Sequence, residues 1–99
     1  MVQFNEIVSK TLRVSYTRDE GGYKVVGNAS YDKDNKMIDA YGEMSDAEGL
    51  LVARFSAYGA DEKGGMRTNL NDVDSSRMTA AVMVVEATLA ELSLGYTEA

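Results

Sequence analysis

Residues 75–94 read SSRMTAAVMVVEATLAELSL, and this stretch carries the strongest structural signal in the chain. Its apolar residues recur at intervals of three and four, which is the repeat of an α-helix. At about 100° per residue they form two lines on opposite sides of that helix. The first line is Met78, Val82, Val85, Leu89 and Leu92, and the second is Ala80, Met83, Ala87, Ala90 and Leu94. The pattern predicts a helix from Ser75 to Leu94 with two apolar sides to cover.

Both ends of this helix carry recognisable signals. Asp74 can accept hydrogen bonds from the free N–H groups of the first turn, as an N-cap residue does. Val73 and Met78 occupy the positions of a hydrophobic staple. Gly95 follows the last apolar residue, where glycine commonly ends a helix. We therefore expect one well-delimited helix at this end of the chain.

Upstream of the helix, apolar and polar residues alternate in four stretches separated by turn residues, which is typical of β-strands. Lys10 interrupts the apolar face of the first stretch, so we expect a bulge or a strand end there. In the later strands we expect Ile38, Ala40 and Met44, then Leu51 and Phe55, to point inward. The predicted strands are Val8 to Thr17, Tyr23 to Asp32, Met37 to Met44 and Leu50 to Gly59.

Short turns between consecutive strands favour a meander of antiparallel neighbours. A glycine-rich connection, Ala60 to Thr68, then leads toward the helix. The alternation indicates that one face of the sheet is buried, and the helix line from Met78 to Leu92 is suited to cover it. We predict a single α+β domain over residues 1–99, a four-stranded antiparallel meander of order β-β-β-β-α covered on one face by the C-terminal helix.

Composition excludes several kinds of chemistry. The 99 residues contain no cysteine and no histidine, which removes disulfides, thiolate nucleophiles and the commonest metal ligand and general base. The net charge of −6, without any basic cluster, disfavours nucleic acid and anionic membranes as partners. No basic and apolar leader is visible in the first residues, and no apolar run approaches the roughly 20 residues of a membrane span, so we expect a cytoplasmic protein without a membrane segment. No cofactor-binding motif is present, so no cofactor is expected.

Two acidic residues in the second turn, Asp32 and Asp34, are the best candidates for a metal site. Their spacing matches the opening of a calcium loop, but Lys36 stands where such a loop needs an oxygen ligand. Asp and Asn are also common in turns because their side chains bond to nearby backbone groups. A turn without a metal is therefore the favoured interpretation.

The outward face of the predicted sheet offers a second candidate. Tyr41 and Tyr58 point outward in the alternation, and an aromatic face with Arg54 can stack single-stranded nucleic acid. Asp39 and Glu43 share that face, and the net charge opposes a polyanion. Nucleic acid is therefore not the expected partner.

The second apolar side of the helix is the feature that points to a function. A helix exposed to water on that side would carry more charged residues, and small residues at this spacing let two helices approach closely. We predict an interface made by Ala80, Met83, Val84, Ala87, Ala90 and Leu94. The favoured hypothesis is a non-enzymatic homodimer with a structural role or a protein partner.

Two alternatives stay open. One is a ligand-binding module or small enzyme with its site between sheet and helix or at the dimer interface. The other is an acidic inhibitor that binds a basic surface, which the negative charge permits.

Overall fold

An antiparallel sheet with one C-terminal helix on one face forms the fold, as predicted. The computed structural model describes residues 2–9, 12–58 and 67–97. Within them the sheet has six strands in chain order, each paired with the next, and the helix α1 packs mainly over β4 and β5. The strands are β1 Gln3–Ser9, β2 Arg13–Glu20, β3 Tyr23–Tyr31, β4 Met37–Ser45, β5 Leu51–Tyr58 and β6 Arg67–Asn71; a short 3-10 turn, Ser75–Arg77, precedes α1, Met78–Leu92.

The predicted number of four strands is wrong, because both edges of the sheet were missed. The stretch from Val8 to Thr17, predicted as one strand, holds the end of β1 and most of β2, which pair with each other. Lys10, where a bulge or strand end was expected, lies outside the described residues. β6 forms at the other edge from the polar sequence RTNLN, in which only Leu70 is partly buried. An edge strand exposed on most sides needs no apolar alternation, so the sequence pattern does not reveal it.

Two bulges change which side chains of β4 and β5 point inward. Ser30 pairs with Asp39 but Tyr31 pairs with Met37, so β4 carries one extra residue there. As a result Met37 is buried and Ile38 is 50% exposed, the reverse of the prediction. A similar shift in β5 buries Val52 and leaves Leu51 at the surface. A bulge inserts one residue and reverses the alternation beyond it, which strict period-two counting cannot anticipate.

The centre of the sheet is organised around two facing glycines. Gly27 of β3 pairs with Gly42 of β4, and the strands approach so closely that a Cβ atom on Gly27 would overlap the carbonyl oxygen of Tyr41. Tyr16 of β2 lies across this pair, and its hydroxyl donates to the same carbonyl oxygen at 3.0 Å. A Cβ atom on Gly42 would lie 2.5 Å from that hydroxyl. Burial raises the pKa of Tyr16 far above its ordinary value, so the phenol stays a donor.

Aromatic contacts attach the C-terminal end of α1 to the sheet. The buried hydroxyl of Tyr31 donates to the carbonyl oxygen of Leu92 at 2.7 Å, which satisfies a carbonyl group that the helix leaves free. Beyond the helix, Tyr96 packs edge-on against Phe4 of β1 at a ring distance of 5.1 Å. Asn35 holds the same segment through two hydrogen bonds with the backbone of Tyr96.

The predicted N-cap residue, Asp74, lies one short turn before α1, whose own N-cap, Arg77, makes no side-chain capping bond. Asp74 accepts the backbone N–H of Ser76 at 3.1 Å, so it caps the 3-10 turn that leads into α1. Arg77 forms an ion pair of 2.6 Å with Asp46 in the turn between β4 and β5. This contact joins the helix start to the end of the sheet. At the other end Gly95 adopts a φ of +107°, which glycine tolerates best.

The helix buries a broader side than the predicted line. Ala81, Val84 and Thr88 are buried together with Val85, Leu89 and Leu92, whereas Met78 is 46% exposed. A helix that lies flat on a sheet covers a stripe at least 100° wide, so residues beside the predicted line also enter the core. Among the described residues no helix combines the length and apolar character needed to cross a bilayer.

Gly27→Ala is expected to destabilise the protein strongly. The added methyl group overlaps backbone rather than a mobile side chain, so the cost should exceed the roughly 1–3 kcal/mol of ordinary overpacking. Gly49→Ala is a matched control, because Gly49 has a φ of +84° and open space around it. An added methyl group there meets no other atom, so the substitution should cost only the backbone strain of about 1–2 kcal/mol. Urea unfolding of both variants measures the difference. Equal losses would contradict the close strand approach.

The ion pair at the helix start predicts a pH effect. The bond from Arg77, with the N–H of Leu50, holds the pKa of Asp46 below its ordinary value. A lowered carboxyl pKa contributes stability above the unfolded value of about 3.9, which is lost as the pH falls through the folded pKa. Arg77→Leu should raise the pKa of Asp46 in a carboxyl NMR titration. Arg67→Leu, an exposed arginine on β6, should leave it unchanged.

Candidate functional site

The outward side of α1 exposes the residues of the predicted interface unequally. Met83 is 62% exposed and Leu94 is 85% exposed, the two highest values among the large apolar side chains described. Ala90 is exposed as well, and Ala80 and Ala87 are half-buried. Val84, assigned to this side from the sequence, is only 4% exposed and packs in the core. Five of the six predicted residues therefore remain at the surface. Four lie on α1, and Leu94, predicted as the last helix residue, lies in the turn two residues beyond the helix end at Leu92. Together they form the outer helix strip of Ala80, Met83, Ala87, Ala90 and Leu94.

Few of the charged side chains of the helix lie along this outer helix strip. Arg77 and Glu91 are turned to the chain itself, since Arg77 pairs with Asp46 and Glu91 pairs with Arg18 at 2.6 Å. Glu86 is exposed and, within the described part of the chain, forms no ion pair. One carboxylate is thus the only helix charge directed at solvent along the strip.

An apolar cleft continues the outer helix strip at its C-terminal end. The cleft has a volume of about 330 Å³ and lies between the start of β1 and the end of α1. Its walls are Val2, Phe4, Glu91, Leu94, Gly95 and Thr97. Leu94 belongs both to the strip and to the rim of the cleft, so the two form one continuous apolar surface.

A buried arginine lies beneath this surface. Arg18 is 6% exposed and pairs with Glu91 of α1 and Glu20 of its own strand. Glu91 also accepts the backbone N–H of Val2. One nitrogen of Arg18, Nη1, is buried and has no hydrogen-bond partner among the residues that the structure describes. The cluster joins β2, the end of the helix and the segment that leads into β1, and two of its members, Val2 and Glu91, lie in the walls of the apolar cleft.

The electrostatics of this cluster favour the ionised pair. Partial burial acts to raise the pKa of Glu91, but the bonds from Arg18 and from the N–H of Val2 outweigh it and leave the pKa below its ordinary value. Sequence reasoning missed this cluster. The signal was present, because Val14, Tyr16 and Arg18 continue one alternation on the inward face of β2.

The opposite face of the sheet has no layer over it among the described residues. Tyr41 and Tyr58 are 43% and 57% exposed there, on the outward side that the alternation predicts. Two clefts lie on either side of Tyr41, with volumes of about 440 and 140 Å³. Arg54 is not free on this face, because it pairs with Glu43 and with Asp72.

The candidate metal residues take part in local turn structure. Oδ1 of Asp32 accepts the backbone N–H groups of Asp34 and Lys36, at 2.8 and 2.9 Å. Asp46 makes the same two bonds in the next turn. Within the described residues no group of three acidic side chains comes together as a metal site would need. These turns use the carboxylate oxygens as acceptors for backbone N–H groups.

Comparisons with known proteins add no assignment. The chain matches no protein-family model, no curated protein and no solved structure. The function therefore has to be argued from the surfaces described above.

Glu91→Leu should destabilise the protein by about 1–3 kcal/mol, because it leaves the buried guanidinium of Arg18 short of a partner. The double change Arg18→Met with Glu91→Leu should recover most of that loss, since apolar groups often replace a buried ion pair without cost. Urea unfolding gives both values, with Glu48→Leu in an exposed turn as a control near zero. A double variant no more stable than the single one would contradict the buried pair.

Proposed function

We propose that this chain is a non-catalytic module that forms a homodimer through the outer helix strip, with a structural or protein-binding role. The observation that carries the proposal is the exposure of Met83 and Leu94, at 62% and 85%, on a side of the helix with one solvent-directed charge. Exposed apolar surface of this kind, rimmed by polar residues, marks interaction sites.

The size of the surface indicates what the interface has to include. A helix of 15 residues is about 22 Å long and about 10 Å across, so its outer side offers roughly 220 Å². A stable interface needs about 800 Å² from each partner. The apolar cleft beside Leu94, with Val2 and Phe4 in its walls, is the adjoining surface suited to extend the contact. The proposed interface therefore comprises the strip and the cleft together.

A second copy of the chain is the occupant that fits this surface. The small residues Ala87 and Ala90 allow close approach of an identical helix, and Met83 can fill the remaining gaps. A two-fold axis would place the same patch on both copies, as in most homodimers. A basic partner, the competing possibility for an acidic chain, would need acidic groups on the strip, and Glu86 alone supplies one.

Ala87→Glu is expected to produce monomers. The substitution places a second carboxylate beside Glu86 in a contact that has to exclude water, and an unpaired buried charge is costly. Light scattering coupled to size-exclusion chromatography should give about twice the chain mass for the parent protein and the chain mass for the variant. Ala47→Glu, the same change in an exposed turn, should leave the dimer intact.

The position of the contact can be tested by cross-linking, because the chain contains no cysteine of its own. Ala90→Cys should form a disulfide-linked dimer on oxidation, and Ala47→Cys should not.

The salt dependence of the dimer is a further test. Two copies with a charge of −6 each repel, so the affinity of the dimer should rise as salt is added. A parent protein that is monomeric at high concentration and in high salt would end the proposal.

A further inference from the structure

The open face of the sheet carries a row of neutral hydrogen-bonding side chains. The strand register places one residue from each of five successive strands in line across the sheet. Neighbouring strands are about 4.8 Å apart, so the row is about 19 Å long. Its members, the open-face row, are Ser15, Asn28, Tyr41, Ser56 and Asn69. Each of these five side chains has a hydroxyl or an amide group and none is charged, and on β1 the register continues the line to Glu6.

This row is not what strand stability alone favours. Asn is depleted in strands, while valine, isoleucine, threonine and aromatic residues are preferred, and the scale spans about 1 kcal/mol per position. Asn28 lies in the middle of β3, a central strand of the sheet. Local sequence that disagrees with its own secondary structure is most often found at functional positions. The open-face row therefore calls for a role other than holding the sheet together.

Tyr41 is held in place at the centre of the row. The side-chain amide of Asn28 donates to its hydroxyl, and the guanidinium of Arg13 lies 5.6 Å from its ring centroid. The ring remains 43% exposed and forms a wall of the clefts on both sides. A ring that is already fixed loses little conformational entropy when a ligand packs against it.

The charges around the row favour a neutral ligand. On one side Arg54 is neutralised by Glu43 and Asp72, at 3.3 and 3.2 Å. On the other side Arg13 and Asp39 flank Ser30 with opposite signs. The whole chain also has a net charge of −6. The face therefore offers no excess of positive charge to the phosphate groups of a nucleic acid. A peptide strand would pair with a sheet edge rather than lie across a sheet face.

We infer that the open-face row binds a neutral polyhydroxylated chain, an oligosaccharide, laid across the strands. The apolar face of one sugar ring would stack on Tyr41, and the hydroxyl groups of its neighbours would bond with Asn28, Ser56 and Asn69. A chain laid across the strands would meet the side chain of a new strand about every 4.8 Å. Tyr58, 57% exposed on the same face, supplies a second ring for stacking.

The inference does not depend on the proposed dimer, because the row and the helix lie on opposite faces of the sheet. It is tested by titrating the ¹⁵N-labelled protein with cellohexaose, xylohexaose, maltohexaose and chitohexaose and recording amide shifts. At least one of these sugars should shift amides of β2 to β5 around the row and leave those of α1 unchanged. Tyr41→Ala should weaken that binding at least tenfold, and Tyr41→Phe should retain most of it.

Glu48→Ala, in the exposed turn between β4 and β5 and outside both the open-face row and the outer helix strip, is the control and should bind the sugar as the parent does. Oligo-dT is titrated alongside. Absence of shifts with all four sugars at millimolar concentration, or Tyr41→Ala binding as tightly as the parent, would overturn the inference. So would binding of oligo-dT to the row with a steep loss in salt, which would identify a nucleic-acid surface instead.

Discussion

The close approach of β3 and β4 at Gly27 and Gly42 is the constraint on which the rest of the structure depends. Without side chains at this pair, Tyr16 can lie flat across two strands and reach the carbonyl oxygen of Tyr41. That hydrogen bond fixes the backbone whose side chain stands at the centre of the open face. On the inner face the ring of Phe55 lies against Gly42, in space that a side chain at this position would take. One contact in the core therefore sets the geometry of both faces.

The second constraint is the attachment of the helix end. Tyr31 bonds to the last turn of α1, and Arg18 pairs with Glu91. Both contacts draw polar groups of the helix toward the sheet and satisfy them there. With Glu91 turned toward Arg18, Glu86 is the carboxylate of α1 that remains exposed on the outer side, near the exposed Met83. The exposed strip thus results from how the inward side is held, as well as from the apolar residues themselves.

Sequence reasoning recovered the elements that have one buried and one exposed face. The interiors of β2 to β5 and the helix obey simple periods because the core lies on one side of each. It failed at β6, where Leu70 alone is partly buried, and at Met37 and Val52, where an inserted residue reverses the pattern. Val84 was misplaced because a helix on a flat sheet buries a wide stripe. The open-face row could not be found at all, since it exists only through the register of five strands.

The arrangement of the two surfaces gives the proposals a common logic. A contact through the outer helix strip would bring two helices together and leave both open sheet faces on the outside of the assembly, pointing away from each other. Each dimer would then present two copies of the open-face row. Shallow polar faces bind weakly one at a time, because the ligand must displace ordered water for little apolar gain. Two such faces on one rigid body raise the effective concentration for the second contact. The overall affinity for a ligand with repeated units can then exceed the affinity of either face alone.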